Sequence, residues 1–239
     1  SLSNRVANAL IDVGFTPADA IAIDMPMTAV SVAIYLGIIK AGCTVVSIAD
    51  SFAPHEIEMR LKLASAKAIF TQDYIPRAGK QLPLYTKVAA ASAPMAIVLF
   101  SRDKVTSPLE LRAEDLTWEQ FLSDSNEFKS VPCHPHGHTN ILFSSGTTGE
   151  PKAIPWTHTT PIKCAMDGYL HHNIQPGDVV AWPTNLGWMM GPWLIYASLI
   201  NKATIALYDG APTERGFGQF VQNACVTMLG VVPSLVRAW

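Results

Sequence analysis

The first third of the chain switches between two spacings of apolar residues. Residues 4–13 carry them at helical spacing, and Gly14 offers a stop. Residues 20–23 form a short apolar run that predicts a strand. Thr28 is suited to cap a helix running to about Lys40, with Ala41-Gly42 as its end. Residues 44–48 are β-branched and apolar, hence a second strand. Pro54 suits a first helical turn, after which Ile57, Leu61 and Ala64 share one face. Residues 67–71 give a third strand. Strand, helix, strand, helix, strand in that order predicts a parallel sheet with crossover helices.

The middle is less regular. Residues 96–100 read as a strand, 116–122 as a short helix, and 123–139 as a surface connection rich in Ser, Asn, Pro, Gly and His. Ile141-Leu142-Phe143 reads as a buried strand. A helix is expected over 160–171, then a Gly177-Asp178 turn into a strand at 179–181. Helices over 191–199 and 214–223 alternate with strands at 203–207 and 226–229. Pro233-Ser234 opens one more helix, which reaches Trp239 without an end signal. The chain has no internal repeat and no low-complexity tract.

Composition narrows the classes. The 239 residues are 49% hydrophobic, enough for a sizeable core. Only 15% are charged and the formal net charge is −2, which excludes the clustered basic surface of a nucleic-acid binder. No apolar run is long enough to span a bilayer. Cys43, Cys133, Cys164 and Cys225 are too widely spaced for a redox or zinc-ribbon motif, so reduced thiols in an intracellular compartment are expected. The chain begins at Ser1 and lacks an end signal, so truncation at both ends is expected.

The densest candidate chemistry lies in Ser144-Ser145-Gly146-Thr147-Thr148-Gly149-Glu150-Pro151-Lys152. Glycine lets backbone N–H groups approach an anion closely, hydroxyls donate hydrogen bonds, and lysine supplies a point charge. The spacing excludes a Walker A loop, because Gly146 and Gly149 are separated by only two residues and Lys152 is followed by Ala153. The dinucleotide fingerprint is also absent here. A ligand-free Ser/Thr/Gly surface turn is the bland alternative.

The full string resembles the phosphate-binding signature of the adenylate-forming superfamily, which contains acyl-CoA synthetases, nonribosomal adenylation domains and beetle luciferases. Ser144 to Lys152 fit that pattern, and Ala153 departs from it where glycine is usual. Residues 17–73 resemble the first α/β unit of an acyl-CoA synthetase large domain. Thr184-Asn185-Leu186-Gly187-Trp188-Met189-Met190-Gly191 resembles the Gly-Trp region of the short- and medium-chain synthetases, and the ending Val231-Val232-Pro233-Ser234-Leu235 also resembles that branch. With Phe143 and Ala153-Ile154-Pro155-Trp156 flanking the loop, the chain is most similar to plant acyl-activating enzymes of the peroxisomal type.

The resemblance implies an α/β fold of mostly parallel sheets, covering part of the large N-terminal domain over residues 1–239, with the small C-terminal domain absent. It implies ATP-dependent activation of a short- or medium-chain carboxylic acid to acyl-adenylate and then acyl-CoA, with ATP, Mg²⁺ and CoA taking part. Ser144, Ser145, Gly146, Thr147, Thr148, Gly149 and Lys152 would bind phosphate. Thr147 and Thr148 would make the direct contacts, and Lys152 would serve as the catalytic clamp. Trp188, Met189, Met190 and Gly191 would line the acyl pocket. On residues alone the first three of these read instead as core side chains at a helix start.

Other strings carry less. Cys133-His134-Pro135-His136-Gly137-His138 has residue types that zinc accepts. The strict alternation of histidines with Pro and Gly predicts a solvated loop instead, and no metal site is expected. His171-His172 closes a helix, where cations suit the dipole. Asp50 reads as either a turn residue or part of a site rim. No Tyr-Gly-x-Thr-Glu string for Mg²⁺ and no Thr-Gly-Asp string for ribose is present. The isolated chain is therefore expected to be inactive. A carrier-loading adenylation domain and a catalytically incomplete nucleotide-binding fragment are the alternatives. The compartment is expected to be the peroxisome or the cytoplasm.

Overall fold

A computed structural model describes residues 1–77, 80–101, 109–144 and 150–239. The chain opens with α1 (Leu2–Val13), β1 (Ala20–Asp24), α2 (Ala29–Lys40), β2 (Thr44–Ile48), α3 (Pro54–Leu63) and β3 (Ala68–Gln72). A hairpin of β4 (Tyr74–Arg77) and β5 (Lys80–Pro83) follows, then α4 (Tyr85–Ala90), β6 (Met95–Leu99), β7 (Leu116–Thr117) and α5 (Trp118–Phe121). The remainder runs β8 (His138–Ser144), β9 (Lys152–Thr157), α6 (Thr160–His172), β10 (Val179–Ala181), α7 (Met190–Leu199), β11 (Thr204–Ala206), α8 (Arg215–Asn223), β12 (Met228–Leu229) and α9 (Pro233–Ala238).

Among the described residues these strands make a seven-stranded sheet in the order β7-β6-β3-β1-β2-β8-β9 and a three-stranded sheet in the order β11-β10-β12. Every adjacent pair in both sheets is parallel except β8 with β9. The expected α/β class with mostly parallel sheets is what the chain adopts.

The large sheet is covered on both faces, as the period-two alternation of its strands requires. Ile21, Ile23, Val45 and Phe70 face α1 and α2, while Ala22, Val46 and Ile69 face α3 and α4. Helix α2 lies deepest. Its cap is reciprocal: the Ser31 backbone N–H donates to Thr28 Oγ1 at 3.2 Å and the Thr28 N–H donates to Ser31 Oγ at 2.9 Å. Its Gly37 lets α1 approach so closely that a Cβ there would sit 2.7 Å from Val6. Its Tyr35 reaches the other layer, where the Tyr196 hydroxyl of α7 lies 3.3 Å away.

Three elements depart from expectation. Residues 116–122 are not one helix: Leu116–Thr117 pair with β6, and Thr117 then caps a single turn by accepting from the Gln120 N–H at 3.2 Å. The edge strand β9 was not expected because it is mostly exposed and carries Pro155, which an edge position tolerates. The β4–β5 hairpin was likewise not expected. It contains Pro76 and Pro83, and β5 shows no buried face.

Candidate functional site

The two sheets point the carboxyl ends of their strands into one cavity of about 650 Å³. Pro26 and Met27 follow β1, Asp50 and Ser51 follow β2, and Trp182 to Asn185 follow β10. The segment after β11, with Tyr208 and Asp209, closes the far side together with Phe217 and Phe220 of α8. A crevice outside the carboxyl ends of parallel strands is where open α/β sheets place ligands.

Trp188, Met189 and Met190 all stand in the cavity wall. Trp188 and Met189 are 50% and 59% exposed, too open for core residues, whereas Met190 is half-buried against the core. Gly191 lies behind that wall rather than on it. A Cβ there would collide with the Asn185 carbonyl oxygen and sit 2.8 Å from Leu186 Cα. The Trp188 ring meets Phe52 edge to face at 5.8 Å, and the Arg60 guanidinium lies 3.8 Å over the other ring centroid. The same guanidinium lies 5.5 Å from the Phe143 ring, one residue before the phosphate string.

The sheets are joined at the cavity floor by Asn185. Its Nδ2 donates to the Met25 carbonyl at 3.1 Å, and its Oδ1 accepts the Gly187 N–H at 2.8 Å. Gly187 then presses on the exit of β2: a Cβ there would strike the Ala49 backbone N and sit 2.5 Å from its Cα. Only glycine permits that approach.

Beneath the floor, at the end of β1, Asp24 is fully buried with no hydrogen-bond partner for either carboxylate oxygen. Burial pushes its carboxyl from the ordinary 3.8 up to about 7, with Lys87 pulling down and Asp50 pushing up. Lys87 reaches from α4 and donates to the carbonyls of Asp50 at 2.6 Å and Phe52 at 3.1 Å. Asp50 stands in the turn after β2 and on the cavity rim, so both of its expected readings hold. Sequence reasoning missed Asp24 and Lys87 altogether; the one available signal was an acidic residue closing an otherwise apolar strand.

The expected phosphate-binding residues divide. Ser144 ends β8 and Lys152 begins β9, and the two are register partners across the antiparallel pair. Lys152 is exposed and does not line the cavity. Ser145, Gly146, Thr147, Thr148 and Gly149 lie outside the described residues.

The cysteine–histidine string forms a turn in which the His136 N–H donates to His134 Nδ1 at 3.2 Å. Among the described residues no group of three or more His, Cys, Asp or Glu could hold a metal ion. Burial pushes the Cys43 and Cys164 thiols up to about 12 and about 11, which suits inert core thiols rather than nucleophiles.

The AMP-binding enzyme family model matches residues 1–239. The chain belongs to the AMP-binding enzyme family. It is 57% identical to the hexanoyl-CoA synthase of Cannabis sativa, over 98% of this chain and 33% of that protein. It is 56% identical to the probable acyl-activating enzyme 17, peroxisomal, of Arabidopsis thaliana, over the same shares. Among solved structures, the acetoacetyl-CoA synthetase from Streptomyces lividans superposes with a TM-score of 0.89 at 25% identity, over 99% of this chain and 37% of that one. The chain thus spans about a third of the length of the curated relatives it matches. Asp50 and Ser51 of the cavity rim and Ser144 follow or end neighbouring strands of one sheet, since β2 pairs with β8.

Proposed function

We propose that these 239 residues form part of the large domain of a longer AMP-forming acid–thiol ligase. Its substrates are a short- or medium-chain carboxylic acid, ATP and CoA. The carrying observation is the Trp188-Met189-Met190 wall on an apolar cavity at the strand ends of a chain in the AMP-binding enzyme family. The names of the similar proteins, hexanoyl-CoA synthase among them, support the same reading.

Two half-reactions follow from it. A carboxylate oxygen bonds to the α-phosphorus of ATP, the bridging P–O bond breaks and pyrophosphate leaves. The CoA sulfur then bonds to the acyl carbon, its proton is released, the acyl–oxygen bond breaks and AMP leaves. In the first step an anion must approach a polyanion, so positioning and electrostatic stabilisation dominate. Ser144 to Gly149 would orient the pyrophosphate side, with Thr147 and Thr148 in direct contact and Lys152 as the catalytic clamp. Trp188 and the two methionines would exclude water from the reacting carboxylate and take up the alkyl tail. Mg²⁺ bridging phosphate oxygens would offset part of the repulsion between the carboxylate and the polyanion. Similar proteins named as peroxisomal favour a peroxisomal over a cytoplasmic compartment. Among the described residues no helix is long and apolar enough to cross a membrane.

The experiment is acid-dependent pyrophosphate release by the full-length polypeptide, run from acetate to octanoate, with acyl-CoA measured alongside. Release with acyl-CoA formation is expected. No release with any acid rejects the ligase reading, and release without acylated CoA favours carrier loading. In the same assay Lys152→Ala is expected to slow adenylation on the order of tenfold to a hundredfold. Its thermal midpoint should hardly move, because the side chain is exposed.

A further inference from the structure

Trp182 and Gly230 are neighbours on adjacent strands. Trp182 follows β10 and Gly230 follows β12; Ala181 pairs with Leu229, and the Gly230 N–H donates to the Ala181 carbonyl at 2.8 Å. The indole therefore lies across the neighbouring strand, in the space where any other residue would carry its side chain. A Cβ built on Gly230 would fall on Trp182 Cε3 and Cδ2 and within 2.5 Å of Cζ3. Gly230 has no need of glycine for its backbone angles, since it is not among the glycines with positive φ. The requirement is for space alone.

The indole cannot retreat. Trp193 of α7 packs against it edge to face at 5.7 Å, and Trp193 is itself buried and held by the His172 ring at 5.1 Å. The open side of Trp182 is the cavity, whose wall it forms together with Met189 and Met190. Displacement from position 230 must therefore drive the indole into the cavity.

We infer that Gly230, acting through Trp182, sets the depth of the cavity and hence the length of acyl chain it accepts. Gly230 is a positioning residue and Trp182 is the wall it positions. The inference rests on the acid-activating reading of the same cavity. A methylene lodged in or excluded from an apolar pocket changes specificity by about tenfold or more. An indole raised by a methyl group underneath excludes at least one methylene.

The test measures kcat and KM for acetate, butyrate, hexanoate and octanoate in the full-length enzyme. Gly230→Ala should lower kcat/KM for the longer acids relative to acetate by about tenfold or more, chiefly through KM. Trp182→Leu, which only deepens the cavity, should shift preference the opposite way. The double variant Gly230→Ala/Trp182→Leu should recover the longer acids. Should Gly230→Ala fail to fold, Trp182→Leu alone decides: an unchanged chain-length profile overturns the inference. A parallel fall for all acids in Gly230→Ala, unrelieved in the double variant, overturns it as well. A wild-type enzyme that activates no acid rejects the underlying reading, and the inference with it. An active wild type with unresponsive variants rejects the inference alone.

Discussion

The two rims of the cavity are built on opposite principles. The rim from the seven-stranded sheet carries the ionisable groups: Asp24 is sealed beneath it, Asp50 lines it beside Pro26 and Met27, and Lys87 is tied to two backbone carbonyls. The rim from the three-stranded sheet is aromatic and held by shape, with Trp182 seated on Gly230 and Tyr208 packed against Phe217 at 5.3 Å and Phe220 at 5.2 Å. One side is suited to setting charge and the other to setting size. The segregation means that each rim can be perturbed while the other stays intact.

The largest expected effect lies on the rim of the seven-stranded sheet. Asp24 ionises near 3.8 when unfolded but holds its proton to about pH 7 when folded. Between these values the unfolded chain binds fewer protons, so rising pH favours unfolding. The loss is fully developed above about pH 7 and amounts to on the order of 4 kcal/mol, at 1.36 kcal/mol per pKa unit. Lys87 and Asp50 are the charged groups facing the carboxyl, and their opposite influences are already contained in that value. Asp24→Asn should therefore gain stability over the wild type progressively from pH 4 to pH 7 and hold a constant advantage above. Urea unfolding across that range measures it, and parallel curves for the two proteins would mean that the carboxyl is solvated.

Neither rim was legible in full. The first α/β units could be read from sequence almost residue by residue, because β-branched runs, the Thr28 cap and Gly14 all signal locally. Gly14 does adopt the left-handed conformation that a helix stop calls for, with φ of 101°. Strand β9 and the β4–β5 hairpin gave no such signal, since prolines interrupt them and β5 and β9 are mostly exposed. Trp188, Met189 and Met190 were singled out only because their string resembles a known one. The one local mark of Asp24 is its place at the end of an apolar strand, and nothing local marks Gly230 as a seat. Both depend on partners far away in the chain: Lys87 for one and, through the β10–β12 register, Trp182 for the other.

A second way to break the comparison is to force the rims apart where they touch. Gly187 meets the backbone of Ala49, and backbone cannot yield as a flexible side chain does. Gly187→Ala should cost about 3 kcal/mol, at the upper end for overpacking. It should also move Trp188, the next residue, away from Phe52. A drop in the urea midpoint together with a change in tryptophan fluorescence is expected. An unchanged midpoint would show that the junction relaxes freely and that the rims are not in firm contact.

The smallest effect tests whether the rims are coupled or merely adjacent. Asn185 satisfies one backbone group on each side, the Met25 carbonyl after β1 and the Gly187 N–H before α7. Asn185→Ala leaves both buried groups without a partner and should cost about 2 kcal/mol. The informative quantity is its combination with Gly187→Ala. If Asn185 does no more than fill its own bonds, the two costs add within about 0.5 kcal/mol. If it clamps Gly187 onto Ala49, the first substitution already loosens the contact that the second would overfill, and the double variant should cost less than the sum by about 1 kcal/mol. A sub-additive cycle means that displacement of one rim reaches the other through this junction. An additive one means that the two rims are held independently, and that one can be displaced without moving the other.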